Sequence, residues 1–245
     1  MSSNSKFQGC EKCREHNGVI IRNDKDGNPY AYKCKCLEDY QHKLMINLYF
    51  KNANLPESIK TYDLSQYTGD DKNKNLFKIK KFIDKFEEKY NNINLYFYGG
   101  LGTQKTTLSK YICWELIKKE KSVYYTLTND LIKLLLNAER DEDAVNKIKK
   151  IINYDLLILD EISTDKCTWY KSDYQAPFFT SFLKRRLENI CKSTIFISNN
   201  SMRKLYESKF GNTIADLINR ECSSELIFKD RFTKISDSDI DNIWD

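Results

Sequence analysis

Glycine and proline are scarce, 8 and 3 among 245 residues, which excludes a collagen-like chain and the Pro/Gly-rich low-complexity classes. No apolar run approaches the roughly 18 residues that span a bilayer. The opening stretch MSSNSKFQGCEKC lacks the apolar core of a secretory signal, so the chain is expected in the cytosol, with no membrane partner. Neither sign of charge dominates: 40 Lys and Arg against 35 Asp and Glu leave +5, which permits contact with nucleic acid without demonstrating it. No repeat of fixed period is present. What remains is a chain 40% hydrophobic and 31% charged, with a mean hydropathy of −0.65. That describes a soluble globular protein with one main core and room for a small satellite.

Cysteine is not scarce. Of the eight, Cys10, Cys13, Cys34 and Cys36 fall at the start, while Cys113, Cys167, Cys191 and Cys222 are scattered singly. In a reducing compartment a close cluster suggests metal before disulfide. Between the two pairs, NGVIIRNDKDGNPYAYK reads as two β-prone runs around a polar turn, a hairpin that would bring the pairs together. Structural zinc takes four tetrahedral thiolate or imidazole ligands, and these four residues fit. The second pair is tighter than usual, and His16 or His42 could replace one ligand. The competing reading is four free thiols, but a head this poor in apolar side chains would struggle to fold without metal. A metal-bound head would be an interaction module.

Residues 37–51 read as a connecting helix, and residues 52–73 as a linker or lead-in. From residue 73 the pattern alternates. The strand-like runs INLYFYG, SVYYTL, DLLILD and STIFIS are separated by amphipathic stretches of helical period. Near-continuous apolar strands between helices predict an α/β fold, a parallel sheet covered by helices on both faces. The expected division is a head and linker helix over 1–55, a main domain over 56–235, and an acidic tail over 236–245.

Directly after INLYFY stands Gly99-Gly100-Leu101-Gly102-Thr103-Gln104-Lys105-Thr106-Thr107, followed by an amphipathic helix. Strand, glycine-rich loop and helix form the context of a phosphate-binding loop. Backbone N–H groups cradle the phosphates, Lys105 would reach the β/γ oxygens, and Thr106 would ligate Mg²⁺. Gln104 occupies the place where such loops carry glycine. If that place needs positive φ, Gln costs about 1–2 kcal/mol, and its side chain could crowd the phosphates.

The strand LLILD ends in Asp160 and Glu161, and a buried strand should not end in paired carboxylates without reason. Asp160 can hold Mg²⁺ through water, and Glu161 can orient or deprotonate an attacking water, the two tasks phosphoryl transfer needs. Asn199, after STIFIS, falls at the same sheet edge and can position that water.

Together these residues resemble the AAA+ ATPases, and more narrowly the helicase-loader family of DnaC and DnaI, with which the transposition helper IstB is grouped. The resemblance rests on the cysteine head ahead of LPESIKTYDL, on LLILDE, on KRRLENICKS and on TIFISNNS. It implies ATP, Mg²⁺ and Zn²⁺ as cofactors. The implied partners are the replicative DNA helicase, single-stranded DNA and further copies of the chain joined through their ATP sites. In that family an arginine after the sensor strand acts as a finger on a neighbour's ATP. The stretch ADLINRECSSELIFKDRF points to Arg220, with Arg231 second, and Arg186 matches a further family arginine. An IstB-like helper and a nucleotide-gated adaptor with little hydrolysis remain alternatives.

Overall fold

Strands whose residues are apolar without alternation need cover on both faces, and the computed structural model supplies it. It describes residues 7–13, 17–69, 72–162, 175–207 and 212–228. The chain divides into two compact units, Met1–Lys51 and Asn52–Asp245.

In the first unit, β1 (Val19–Asn23) pairs antiparallel with β2 (Pro29–Lys33) in the register Val19↔Lys33 to Asn23↔Pro29. Asp24 closes the turn. Its Oδ1 accepts from the backbone N–H groups of Asp26 and Asn28 at 2.9 and 2.8 Å, and Gly27 sits at φ 86°. The helix α1 (Lys35–Asn52) follows without a break.

The second unit holds five parallel strands in the order β4-β5-β6-β3-β7. They are β3 (Asn94–Gly99), β4 (Val123–Leu127), β5 (Leu156–Asp160), β6 (Ser193–Ser198) and β7 (Cys222–Phe228). Every residue of β5 and β6 is buried. The helices α4 (Thr128–Asn137), α5 (Glu142–Ile151), α6 (Ala176–Lys184), α7 (Met202–Glu207) and α8 (Asn212–Glu221) contribute Leu131, Ile151, Phe179, Leu205 and Ile218 to a core with Tyr96, Leu157 and Phe196 of the sheet. Successive strand residues point to opposite faces, and α3 (Lys105–Lys118) packs on β3, β5 and β6 with α2 (Lys72–Asp84) beside it. Helices thus cover both faces, as the sequence predicts.

Three features depart from the sequence reading. The lead-in is packed rather than loose: two short 3₁₀ turns bury Ile59 and Tyr67, and Ala53 is wholly enclosed. The fifth strand, β7, and the helices α7 and α8 carried no assignment. β7 is an edge strand of mixed polarity that starts directly after Glu221, with no turn residue between. Finally, Arg185–Ile190 continues α6 as a π-helical turn, and Arg186 within it is buried. The tail over 236–245 lies outside the described residues. No helix among the described residues is long and apolar enough to cross a membrane.

Candidate functional site

A parallel sheet brings the C-terminal ends of its strands to one edge, and ligands of such sheets bind there. The edge gathers the loop after β3, the carboxylates ending β5 and the turn after β6. They surround an open cavity of about 370 Å³ lined by Gly102, Thr103, Gln104, Lys105, Thr106, Thr107, Asp160, Glu161 and Asn199. Candidate residues spread over a hundred positions of sequence thus meet around one space. Leu101, 67% exposed at the loop tip, also lines it, as do Ile197 and Ser198.

Gly99 and Gly100 shape the base of the loop. A Cβ on Gly99 would lie 1.9 Å from the carbonyl oxygen of Phe228, so the end of β7 passes where only glycine leaves room. The Lys105 ammonium donates to the carbonyls of Gly99 and Gly100 at 2.9 and 2.7 Å and to Thr103 Oγ1 at 3.0 Å. Burial pulls it down to about 8, opposed by the nearby Asp160 carboxylate. An anionic ligand in the cavity would favour its protonated form.

Gln104 does occupy the left-handed region, at φ 61° and ψ 15°, as the residue that caps α3. Its carbonyl accepts from Leu108 N at 2.9 Å. Its side-chain amide donates to Gln66 O at 3.4 Å. The backbone cost is therefore present, and the side chain has a partner in the lead-in.

Thr106 Oγ1 donates to Asp160 Oδ2 at 2.7 Å. A hydroxyl and a carboxylate oxygen side by side are hard donors of the kind Mg²⁺ takes, few in number because that ion keeps most of its water. Glu161 stands in the left-handed region at φ 57°. Its N–H donates to Asp160 Oδ1 at 2.8 Å, and the next N–H, of Ile162, donates to Ile197 O at 2.9 Å. The turn after β6 is pinned in turn by Tyr96, whose hydroxyl donates to Asn200 O at 2.8 Å. The site so built offers backbone donors and an ammonium for phosphate, hard oxygens for a cation, and a carboxylate and an amide for a water molecule.

The candidate arginines part company. Arg220 lies in the last turn of α8, just ahead of Cys222, which pairs with Asn94 at the start of β3, whereas the phosphate-binding loop begins at that strand's end. With a rise of about 3.3 Å per residue, the two lie at opposite ends of the strand, about 16 Å apart along it. Arg220 is exposed and ion-paired to Glu188, with Glu221 at 3.2 Å. It cannot serve its own cavity. Arg186 is fully buried. It donates to Thr194 Oγ1 at 2.9 Å, Ile152 O at 2.7 Å and Ser193 O at 2.5 Å. Burial lowers its pKa to about 9. Its place is inside the fold, which removes it as a candidate finger. Arg231 lies outside the described residues.

In the first unit the sulfurs of Cys10, Cys13, Cys34 and Cys36 all lie within 4.8 Å of one another. Adjacent pairs stand 3.2–3.7 Å apart, too far for disulfides, whose sulfurs lie about 2.05 Å apart. They are close to the roughly 3.8 Å between thiolates on a tetrahedral zinc with 2.3 Å bonds. The four cysteines form this cluster by themselves among the described residues; His42 takes no part and His16 lies outside them. Gly18 makes the approach possible. At φ 92° it passes so near Leu37 and Phe7 that a Cβ would meet them at 2.8–2.9 Å, and its carbonyl accepts from Cys34 N at 2.7 Å.

The family model described as IstB-like ATP binding protein matches residues 38–219, most of the chain. The replicative helicase loader DnaI of Bacillus subtilis (strain 168) is 25% identical over 176 residues, 69% of this chain and 55% of that protein. An ATP-binding protein of insertion sequence IS232, from Bacillus thuringiensis subsp. berliner, is 28% identical over 155 residues, 59% of each. The chain spans little more than half the length of these curated relatives. A crystal structure of the DnaC helicase loader shares the fold, with a TM-score of 0.58 at 24% identity, covering 71% of this chain and 100% of that one.

Proposed function

The chain belongs to the IstB-like ATP-binding protein family, and from that premise we propose that it is an ATPase that delivers the replicative DNA helicase onto single-stranded DNA. The observation that carries the ATPase reading is the convergence of Lys105, Thr106, Asp160, Glu161 and Asn199 on one cavity. In this reading Lys105 and the loop N–H groups bind the β/γ-phosphates, with Gly99, Gly100, Gly102 and Thr103 shaping the loop. Thr106 and Asp160 hold Mg²⁺, which supplies neutralisation of phosphate charge when bound. Glu161 takes the proton of the attacking water, and Asn199 orients that water.

Arg220, placed away from its own cavity, would complete the cavity of a neighbouring copy. The four cysteines would hold zinc and make residues 1–55, the head with its linker helix, the part that grips the helicase. Residues 56–235 would form the ATPase domain and 236–245 a solvated tail. Similarity to the helicase loader extends over more of this chain than similarity to the insertion-sequence protein, and the cysteine head favours a loader over a transposition helper. The strained backbone of Gln104 favours slow turnover, so an adaptor gated by bound nucleotide is the second reading.

Turnover measured with and without single-stranded DNA, and helicase loading measured beside it, test these assignments. Lys105→Ala should abolish ATP binding. Glu161→Gln should bind ATP and stop hydrolysing it, because its role lies in the transition state. Arg220→Ala should bind ATP, lose DNA-stimulated turnover and loading, and regain part of both when mixed with Lys105→Ala chains. Full turnover by Arg220→Ala alone would move the finger to Arg231. Binding without turnover in the wild type would leave the adaptor.

A further inference from the structure

Tyr125 sits in the middle of β4, 8% exposed. The motifs of the sequence do not single it out. In the parallel register Tyr125 faces Ile158 and Leu127 faces Asp160, so Asp160 is the diagonal neighbour of Tyr125 on one face of the sheet, within reach of a long side chain. The phenol hydroxyl donates to Asp160 Oδ2 at 2.8 Å, the same oxygen that accepts from Thr106. With Glu161 N on Oδ1, three donors fix a carboxylate that would otherwise turn about two side-chain bonds. The Lys110 ammonium lies over the Tyr125 ring, 4.2 Å from the centroid.

The backbone of the same residue is held from the other side. β4 is an edge strand, and its free edge is met by the chain that leaves α1. Tyr125 N donates to Ala53 O at 3.0 Å, and Asn54 Nδ2 donates to Tyr125 O at 2.9 Å. Asn54 adopts φ 58° to do so. One residue thus touches the candidate cation-binding carboxylate through its side chain and the segment after the head's helix through its backbone.

We propose that Tyr125 is a positioning residue that sets the Asp160 carboxylate and links it to the Ala53–Asn54 segment, so that this segment tunes the cation affinity of the nucleotide site. The proposal rests on the reading of the cavity as a nucleotide site. Partners of a metal-binding side chain commonly change metal affinity 10- to 100-fold when removed, and a displaced head-side segment would act through the same contact.

The test is fluorescence titration of the full chain with methylanthraniloyl-ADP, in EDTA and against increasing Mg²⁺, alongside thermal unfolding. Tyr125→Phe keeps the ring and removes the hydroxyl. It should need about 10-fold more Mg²⁺ while its affinity in EDTA and its melting temperature stay those of the wild type. Asn54→Gly preserves the left-handed backbone and removes the amide bond; it should raise the Mg²⁺ requirement about threefold. Added to Tyr125→Phe it should raise it no further, because both act through one carboxylate.

A wild-type Mg²⁺ requirement in Tyr125→Phe overturns the positioning role, and so does loss of binding in EDTA. Additive effects in the double variant overturn the link to Ala53–Asn54. A wild type that binds the nucleotide with no response to Mg²⁺ fails differently: it removes the cation site of the proposed function and the inference with it.

Discussion

The hairpin of the head and the five-stranded sheet are both β structure, yet they obtain their order from different sources. Along β2 every residue is exposed, whereas along β5 and β6 every residue is buried. A two-stranded hairpin without a covered face is marginal in water, so the packing of apolar side chains cannot be what holds it. The four sulfurs that meet at its base can. The sheet needs no such clip, since Leu156, Leu157, Ile158 and Leu159 are all at 0% exposure, and burial of a side chain of that size contributes about 1.5–3 kcal/mol. The two units thus differ in what is available to order them: an apolar interior in the sheet, and four gathered sulfurs in the head.

The comparison breaks most plainly if the head survives without metal. Purified protein is expected to carry one Zn²⁺ per chain, and Cys13→Ser or Cys34→Ser, or chelation, should unfold the head. The binding energy of such sites, on the order of 10 kcal/mol, is folding energy. Elemental analysis with the amide spectrum of Val19–Lys33 checks this, and the melting of the second unit should not move. A folded head free of metal would mean that the hairpin has another source of order.

A smaller effect, in the opposite unit, sharpens the contrast. Arg186→Met should destabilise the sheet unit by about 3–5 kcal/mol, since it strands the buried carbonyls of Ile152 and Ser193. Urea unfolding measures it, and zinc content should be untouched. Arg186→Lys should recover little, because an ammonium cannot reproduce the guanidinium fork. The smallest effect is a gain. Gln104→Gly should stabilise the same unit by about 1 kcal/mol by releasing the left-handed strain at φ 61°, read as a rise in the urea midpoint at constant slope.

Where the chain buries both faces of a strand, its sequence is explicit: β3, β4, β5 and β6 are continuous apolar runs, and three of them deliver the residues of the cavity. β7 was not legible because an edge strand needs only one apolar face, and CSSELIF mixes polar and apolar residues with no turn before it. Lys105 announces itself in the glycine-rich loop motif and Asp160 and Asn199 by standing at strand ends, whereas Tyr125 is one aromatic among others in VYYTL and gains meaning only from its neighbour across the sheet. Arg186 did leave a signal. Phe179, Phe182, Leu183, Arg186 and Leu187 follow helical spacing, which sets this arginine on the apolar stripe rather than beside Arg185 in a basic face. The left-handed backbone of Gln104 was legible only as a condition, since the residue itself disfavours the conformation that the loop requires.

Arg220 and the glycine-rich loop lie at opposite ends of the strands of one sheet. A contact that brings the arginine of one copy to the cavity of the next joins two unlike surfaces, so unless two copies exchange it reciprocally it is directional. Copies added in this way form a row or a ring with a sense of travel. In an open row the last member holds nucleotide that nobody completes, while the first offers an arginine to no one. Such an assembly would have a beginning and an end that differ chemically, a property that suits a partner, such as a single strand of DNA, which itself has a direction.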